Sequence, residues 1–503
     1  MMRDNDSVPT MSTSARAPIP PRRTLLRHAT RSLACAALLL GACSDSGDGS
    51  STSDAEETSG TTEGPASASE GTTDASTTDA TTDETTTTTS DGETTAAEPA
   101  FTYHRDIRPV IAASCEQCHT PGNIAPFPLT SYEEVYELRE LVALSMLNRQ
   151  MPPWLAAPDC RAYEHDPSLS QETLDMVETW VAEGAPEGDP DDYVAPPPPP
   201  STELPSVDYA LTMPEAYTPV GAPDDYRCFI IDWPAESDTY VTGFRAVPGA
   251  VEEVHHAIAF ALPPEKLAEY DALDAADPGI GYECFGGPGG EIGSPADIGV
   301  WLGAWAPGAA PSIYPEGTGL RIPAGSKIIL QVHYNVPADG AVPDQSGVEL
   351  MVADEVEREA FMMLWADIEW LFGQMPIPAG SPSTVHTWEF DPTAVMSFLT
   401  DVIPGGVPIE IHSVTHHMHT VGVRGTHAIR RQGGDECLLQ IPRWDFNWQD
   451  GFVLSEPATL SPGDRLHLEC EYDNSAGDSD LNWGDGTGDE MCLGIYYVTE
   501  ATP

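Results

Sequence analysis

The 503-residue chain carries 80 Asp and Glu against 22 Lys and Arg, a formal net charge of -58, and phosphate repulsion at that charge excludes a sequence-independent nucleic-acid binder. With 40% hydrophobic residues the chain has material for buried cores, so it is not disordered as a whole, and its length suits about three to four domains. The 48 Pro and 43 Gly, with few long helical patterns, predict strand-rich domains joined by turns.

Arg22, Arg23, Arg27 and Arg31 precede a short apolar run from Leu33 to Ala42, too short to span a bilayer and patterned as a signal peptide over 1–42. The run ends in Leu40-Gly41-Ala42-Cys43, which looks like a bacterial lipobox with Cys43 as the lipidated residue. The expectation is an exported bacterial lipoprotein, periplasmic or at the outer-membrane or cell surface, touching the membrane through that anchor alone. Residues 43–99 read as a disordered tether: from Ser44 to Pro99 there are 14 acids and no Lys, Arg or aromatic residue, too little apolar area to offset chain entropy. Beyond it, residues 100 to 503 still hold 64 acids and 16 bases, so the folded surface is itself anionic.

Residues 100–190 read as a small all-α cytochrome c domain of the class I kind. Cys115-Glu116-Gln117-Cys118-His119 is the C-x-x-C-H pattern for covalent haem c, the thiols taking the vinyl groups and His119 one axial position of iron. An amphipathic segment from Phe101 to Ser114 leads into it, and a helix is expected over Gln171 to Ala182. Met151, before Pro152, is the candidate second axial ligand, with Met146 as the alternative. A His/Met iron has no open position and a raised potential, so it transfers electrons. The five prolines from Pro196 to Pro200 mark a stiff linker over 191–204.

The remainder, residues 205–503, holds its chemistry-bearing motifs in segments that read as strands. Glu253-Val254-His255-His256-Ala257 holds adjacent histidines, and on a strand these point to opposite faces unless a bulge or strand end intervenes. Lys327 to Asn335 alternates, with Ile328, Leu330 and Val332 facing the core and Gln331 and His333 facing the other way. His417-Met418-His419 places two imidazoles at i and i+2, on one strand face, where they can chelate one ion; His416 can substitute by spacing. Near the C-terminus stands Glu490-Met491-Cys492.

Together with Trp305-Ala306-Pro307-Gly308 and Pro315-Glu316-Gly317-Thr318-Gly319, these motifs resemble, in order and spacing, the copper type II monooxygenases, the family of peptidylglycine α-hydroxylating monooxygenase and dopamine β-monooxygenase. The cytochrome-like stretch resembles one fused to bacterial members. The resemblance implies two antiparallel β-sandwiches of jelly-roll type, 205–350 and 351–503, each supplying one copper site across a solvent-filled cleft. His255, His256 and His333 would hold the first copper; His417, His419 and Met491 would hold the second, with Gln331 joining the catalytic candidates. Imidazole suits both oxidation states of copper and a thioether favours Cu(I), so the Met491 site is the one expected to use oxygen.

The reaction so implied is hydroxylation of a substrate C–H bond with O2, two electrons per turnover coming from ascorbate or another donor. The fused haem is the candidate donor, passing electrons to the His255, His256 and His333 site. Six cysteines remain once Cys35, Cys43, Cys115 and Cys118 are assigned, an even number that fits an oxidising compartment. The resemblance implies a Cys470–Cys492 bridge; Cys228 and Cys284 bracket the His-His motif and are expected to pair. Cys160 and Cys437 are left as a bridge or as two free thiols.

The sequence departs from the peptide-hydroxylating members at Thr415, where they carry an arginine, and at Leu493 and Ile495, where they carry asparagine and tyrosine. A peptide carboxylate is therefore disfavoured, a small neutral or amine-bearing substrate is expected, and the chain is expected to be a monomer. The same residues suit a second class, a copper-binding or electron-transfer lipoprotein that never activates oxygen. What separates the two is whether a position beside Met491 stays open.

Overall fold

The computed structural model describes residues 98–502 except 124, 199–200, 222–223, 285–286, 291–298, 307–308, 337–339, 485 and 487. The expected signal peptide, Cys43 and nearly all of the tether lie outside the described residues. No helix among the described residues is long and apolar enough to cross a membrane.

A π-helical turn, Tyr103–Ile107, runs into α1 (Arg108–Ser114), followed by α2 (Tyr132–Leu147) and α3 (Gln171–Ala182). Ser131 starts α2 with a reciprocal cap: its hydroxyl accepts from Glu134 N while the Glu134 carboxylate accepts from Ser131 N, satisfying two otherwise orphaned donors. Ser170 caps α3 in the same sense. The helices meet on buried Tyr103, Ile111, Val135, Met146, Leu174 and Trp180. Met146 is therefore part of a core, whereas Met151 lies just beyond the end of α2.

The first β half comprises β1 (Tyr209–Thr212), β2 (Asp224–Asp232), β3 (Thr239–Val247), β4 (Val254–Leu262), α4 (Leu267–Ala276), β5 (Tyr282–Glu283), β6 (Val300–Trp305), β7 (Ser312–Ile313), β8 (Thr318–Ile322), β9 (Lys327–Asn335) and β10 (Gly347–Ala353). The second comprises β11 (Arg358–Trp365), β12 (Thr384–Phe390), α5 (Met396–Leu399), β13 (Ile409–His417), β14 (Gly422–Arg430), β15 (Glu436–Ile441), β16 (Gly451–Leu460), β17 (Arg465–Tyr472) and β18 (Leu493–Glu500). β10 runs across residue 350, the expected boundary, because it pairs with β1 and β3 of the first half.

Three sheets carry these strands, in the orders β5-β2-β9-β4-β6, β12-β17-β14-β15 and β1-β10-β3-β8-β11-β18-β13-β16, with β7 paired to β3. The first packs on the β3 and β8 side of the long sheet through Val241, Phe244, Leu320, Leu330 and Val332. The second packs on the β18 and β13 side through Ile411, Val414, Leu466, Leu468 and Tyr496. Instead of two separate sandwiches, one sheet runs through both. The joint is β8 beside β11, parallel, with Thr318 opposite Arg358, reinforced by a 2.8 Å hydrogen bond between the Thr318 and Tyr497 hydroxyls. β9 is buried along nearly its whole length, because the disulfide Cys228–Cys284 and α4 cover the face opposite the core.

Residues 154–166 leave the helical unit and dock on the second half. Glu164 N donates to Val453 O at 2.9 Å, Ser455 N to Ala162 O at 3.1 Å and Ala157 N to Gln440 O at 2.7 Å, extending the sheet edge at β16. The disulfide Cys160–Cys437 fixes this segment, so of the two alternatives for these cysteines the bridge is the one present. Cys470–Cys492 is also bridged.

Candidate metal centres

The first cluster depends on an irregularity. In β4 the register with β9 slips between Val254 and His256, so that His256 pairs with His333 and His255 is the extra residue. Such a bulge turns two consecutive side chains toward one side. Ligand atoms of His255, His256 and His333 lie within 4.8 Å of one another. His333 Nε2 donates to the Asp224 carboxylate at 2.8 Å, which commits the proton to Nε2 and leaves Nδ1 unprotonated. That Nδ1 and His255 Nδ1 are buried without a hydrogen-bond partner. Orphaned buried nitrogens are costly, and two of them converging beside His256 fit a metal ion. Burial lowers the His333 imidazole to about 4, against the Asp224 hydrogen bond, and also lowers His255 and His256; all three are neutral near pH 7, as ligation requires. Tyr226 stacks on His333 at 4.0 Å.

The second cluster lies at the end of β13. The His417 and His419 rings are 5.0 Å apart. His417 Nδ1 donates to Gln449 Oε1 at 2.6 Å, and His419 Nδ1 to the Asp489 carbonyl at 3.0 Å, so each ring keeps Nε2 as its unprotonated nitrogen. Burial lowers His417 to about 3 and lowers His419. The buried Glu490 carboxylate accepts from His419 N at 2.8 Å and Val421 N at 2.7 Å, tying the histidine segment to the residue before Met491. His416 turns the other way: its Nδ1 is hydrogen-bonded to His427 Nε2 at 2.8 Å, and His427 Nδ1 to the Tyr496 hydroxyl at 2.5 Å.

One cavity of about 2800 Å³ is lined by His255, His256, His417, His419 and Met491. Gln331 also lines it, but its amide donates to the Gly287 carbonyl at 2.6 Å, holding the covering loop. The walls around the second cluster are apolar, with Phe361, Leu364, Trp365, Leu493 and Ile495; no Lys or Arg is among the described lining residues. Phe446 stands between the clusters, its ring 5.1 Å from His255 and 6.0 Å from His419, where a solvent-filled gap is expected from the sequence.

The C-x-x-C-H segment opens on the same cavity, which Cys115, Cys118, His119, Met146 and Met151 also line. His119 N donates to Cys115 O at 2.9 Å in the turn after α1. His119 Nδ1 donates to Phe127 O at 2.9 Å, leaving Nε2 as the unprotonated nitrogen. Burial pushes the Cys115 thiol up to about 12 and raises Cys118.

Sequence reasoning singled out the six ligand candidates but not Asp224, Gln449 or Phe446. These sit in loops or at strand ends, where no periodicity announces an orienting partner.

With this geometry in hand, comparison with known proteins gives the class first. Residues 381–502 match the family model described as copper type II ascorbate-dependent monooxygenase, C-terminal domain. Human DBH-like monooxygenase protein 1 is 29% identical over 205 residues, 39% of this chain and 32% of that protein. Peptidyl-glycine alpha-amidating monooxygenase A of Xenopus laevis is 26% identical over 289 residues, 55% of this chain and 27% of that protein. Dopamine beta-hydroxylase of Canis lupus familiaris is 26% identical over 205 residues, 40% and 32% respectively. The chain spans about a third of the length of the curated relatives it matches.

Proposed function

We propose that this chain is a copper-dependent monooxygenase that hydroxylates a C–H bond of a small neutral or amine-bearing substrate with O2. The observation that carries the reading is the pair of histidine clusters on one cavity, with His333, His417 and His419 each held in a single tautomer and His255 left with a bare buried nitrogen. His255, His256 and His333 would hold one copper ion, and His417, His419 and Met491 the other. When bound, the pair would supply one-electron redox chemistry and oxygen activation, the thioether favouring the reduced ion.

The chain's own residues do the rest. Asp224 holds the His333 proton on Nε2, and Gln449 and the Asp489 carbonyl hold the His417 and His419 protons on Nδ1. Leu493, Ile495, Trp365 and Phe361 give the substrate an apolar wall; Thr415 stands where a carboxylate-binding arginine would be. An anion gains nothing from such a wall, whereas a neutral molecule gains burial and an amine meets an acidic surround.

Cys115 and Cys118 would hold a covalently attached haem c, with His119 Nε2 and Met151 as the groups that would ligate its iron. This haem is proposed as electron donor, with ascorbate as the alternative reductant, in an exported lipoprotein anchored through Cys43. Orientation of His416 toward His427 favours an open position beside Met491 over a closed, non-enzymatic copper-binding or electron-transfer protein.

The test is infrared spectroscopy of carbon monoxide added to the fully reduced protein holding both coppers and haem. A copper carbonyl band that shifts or vanishes in Met491→Ala is expected. A protein shown to contain both coppers but giving no band would replace this reading with the non-enzymatic one.

A further inference from the structure

One loop, residues 442–450 between β15 and β16, meets both clusters. Trp444 Nε1 donates to the His419 carbonyl at 2.9 Å, and Trp444 N to the Val423 carbonyl at 2.8 Å. Gln449 accepts from His417 Nδ1 at 2.6 Å and donates back to the Phe446 carbonyl at 3.0 Å. The Phe446 ring lies nearly face-on to His255, 25° between planes, and edge-on to His419. Both histidines of the second cluster and one of the first therefore depend on this loop for a contact.

Four of the loop's nine residues, Pro442, Arg443, Asn447 and Asp450, are exposed, and its packing rests on Trp444 and Trp448 against the second core. Such a segment opens at low cost unless its ends are fixed. Both ends are gripped by residues 154–166. On β15, Cys437 is bridged to Cys160, Glu436 accepts from Arg161 at 2.6 Å and the Leu438 carbonyl accepts from the Tyr163 hydroxyl at 3.0 Å. On β16, Arg161 also donates to the Glu456 carbonyl at 2.6 Å, and the Phe452 ring, two residues after the loop, lies 4.8 Å from Trp154 and 5.5 Å from Tyr163. Trp154 is three residues from Met151, at the mouth of the helical unit.

We propose that residues 154–166 form a brace that holds loop 442–450 in place, that Gln449 is a positioning residue for His417, and that the helical unit is thereby mechanically linked to the second histidine cluster. The proposal deepens the copper reading and rests on it only in its spectroscopic arm.

The first arm is amide hydrogen exchange by mass spectrometry on the metal-free full chain, comparing wild type with the double variant Cys160→Ser, Cys437→Ser and with Trp154→Ala. Exchange in residues 442–451 is expected to be about tenfold faster in both variants, with β14 and β17 unchanged. Unchanged loop exchange in Trp154→Ala, which keeps all three described disulfides, overturns the brace even if the double variant unfolds. In the second arm, Gln449→Leu is loaded with Cu(II) and read by electron paramagnetic resonance. A changed hyperfine splitting for one of two copper signals is expected; two unchanged signals overturn the positioning role. A wild type that binds no copper at the second cluster defeats the copper reading while the exchange arm still decides the brace.

Discussion

Single histidines show how burial and partner atoms set protonation. His412, 3% exposed, bonds through Nε2 to the Thr499 hydroxyl at 2.8 Å, with Arg358 and Glu410 facing it. Burial, aided by Arg358, lowers it from 6.5 to about 4. The unfolded chain therefore takes up the proton first as pH falls, so the stability His412 contributes is present above about 6.5 and is lost between there and 4. A shift of this size is worth at most about 3 kcal/mol, and urea unfolding across that range should show a shallower pH dependence in His412→Gln. Glu490 offers a second test. Its carboxylate is the partner of two backbone amides, and Glu490→Ala should cost about 2–4 kcal/mol by stranding them, read in the same experiment. The ligand-type histidines were legible through the family resemblance rather than by spacing alone; their orienting partners were not, because Asp224 and Gln449 reach them across strands and loops far apart in sequence.

Individual elements were legible where a period was clean. β9 announces itself by alternating Ile328, Leu330 and Val332, β17 by Leu466, Leu468 and Cys470, and α3 by its apolar stripe. α2 has no such signature, because apolar residues lie around it and Leu141 and Leu144 stay exposed. The bulge at His255 is also invisible to a period-two reading, although it alone lets adjacent histidines meet on one side. At this scale the Cys470–Cys492 bridge is testable. It joins β17 to the residue after Met491 with a sequence separation of 22, and replacing both cysteines by alanine should cost about 3 kcal/mol through the freed unfolded chain. Denaturant unfolding measures the loss, and Cu(I) affinity of the second cluster should fall with it.

The whole molecule is dominated by charge and by long-range pairing. A net charge of -58 makes self-repulsion a standing cost to the compact state, and added salt screens it. The melting temperature should therefore rise between about 0.05 and 0.5 M sodium chloride; a flat or falling curve would show that the acidic surface is already compensated locally. Two β halves were legible from the sequence, but their fusion was not. The residues at the joint, Thr318 to Leu320 and Arg358 to Ala360, carry no signal that they lie side by side.

That joint bears on how such a protein can be taken apart or recombined. Residues from β11 onward are no transplantable cassette, because excising them strips β11 of its neighbour β8 and bares a sheet edge open to pairing with other chains. A chimera that exchanges the C-terminal half would have to bring a matching edge strand with it, or inherit insolubility as the cost of the cut.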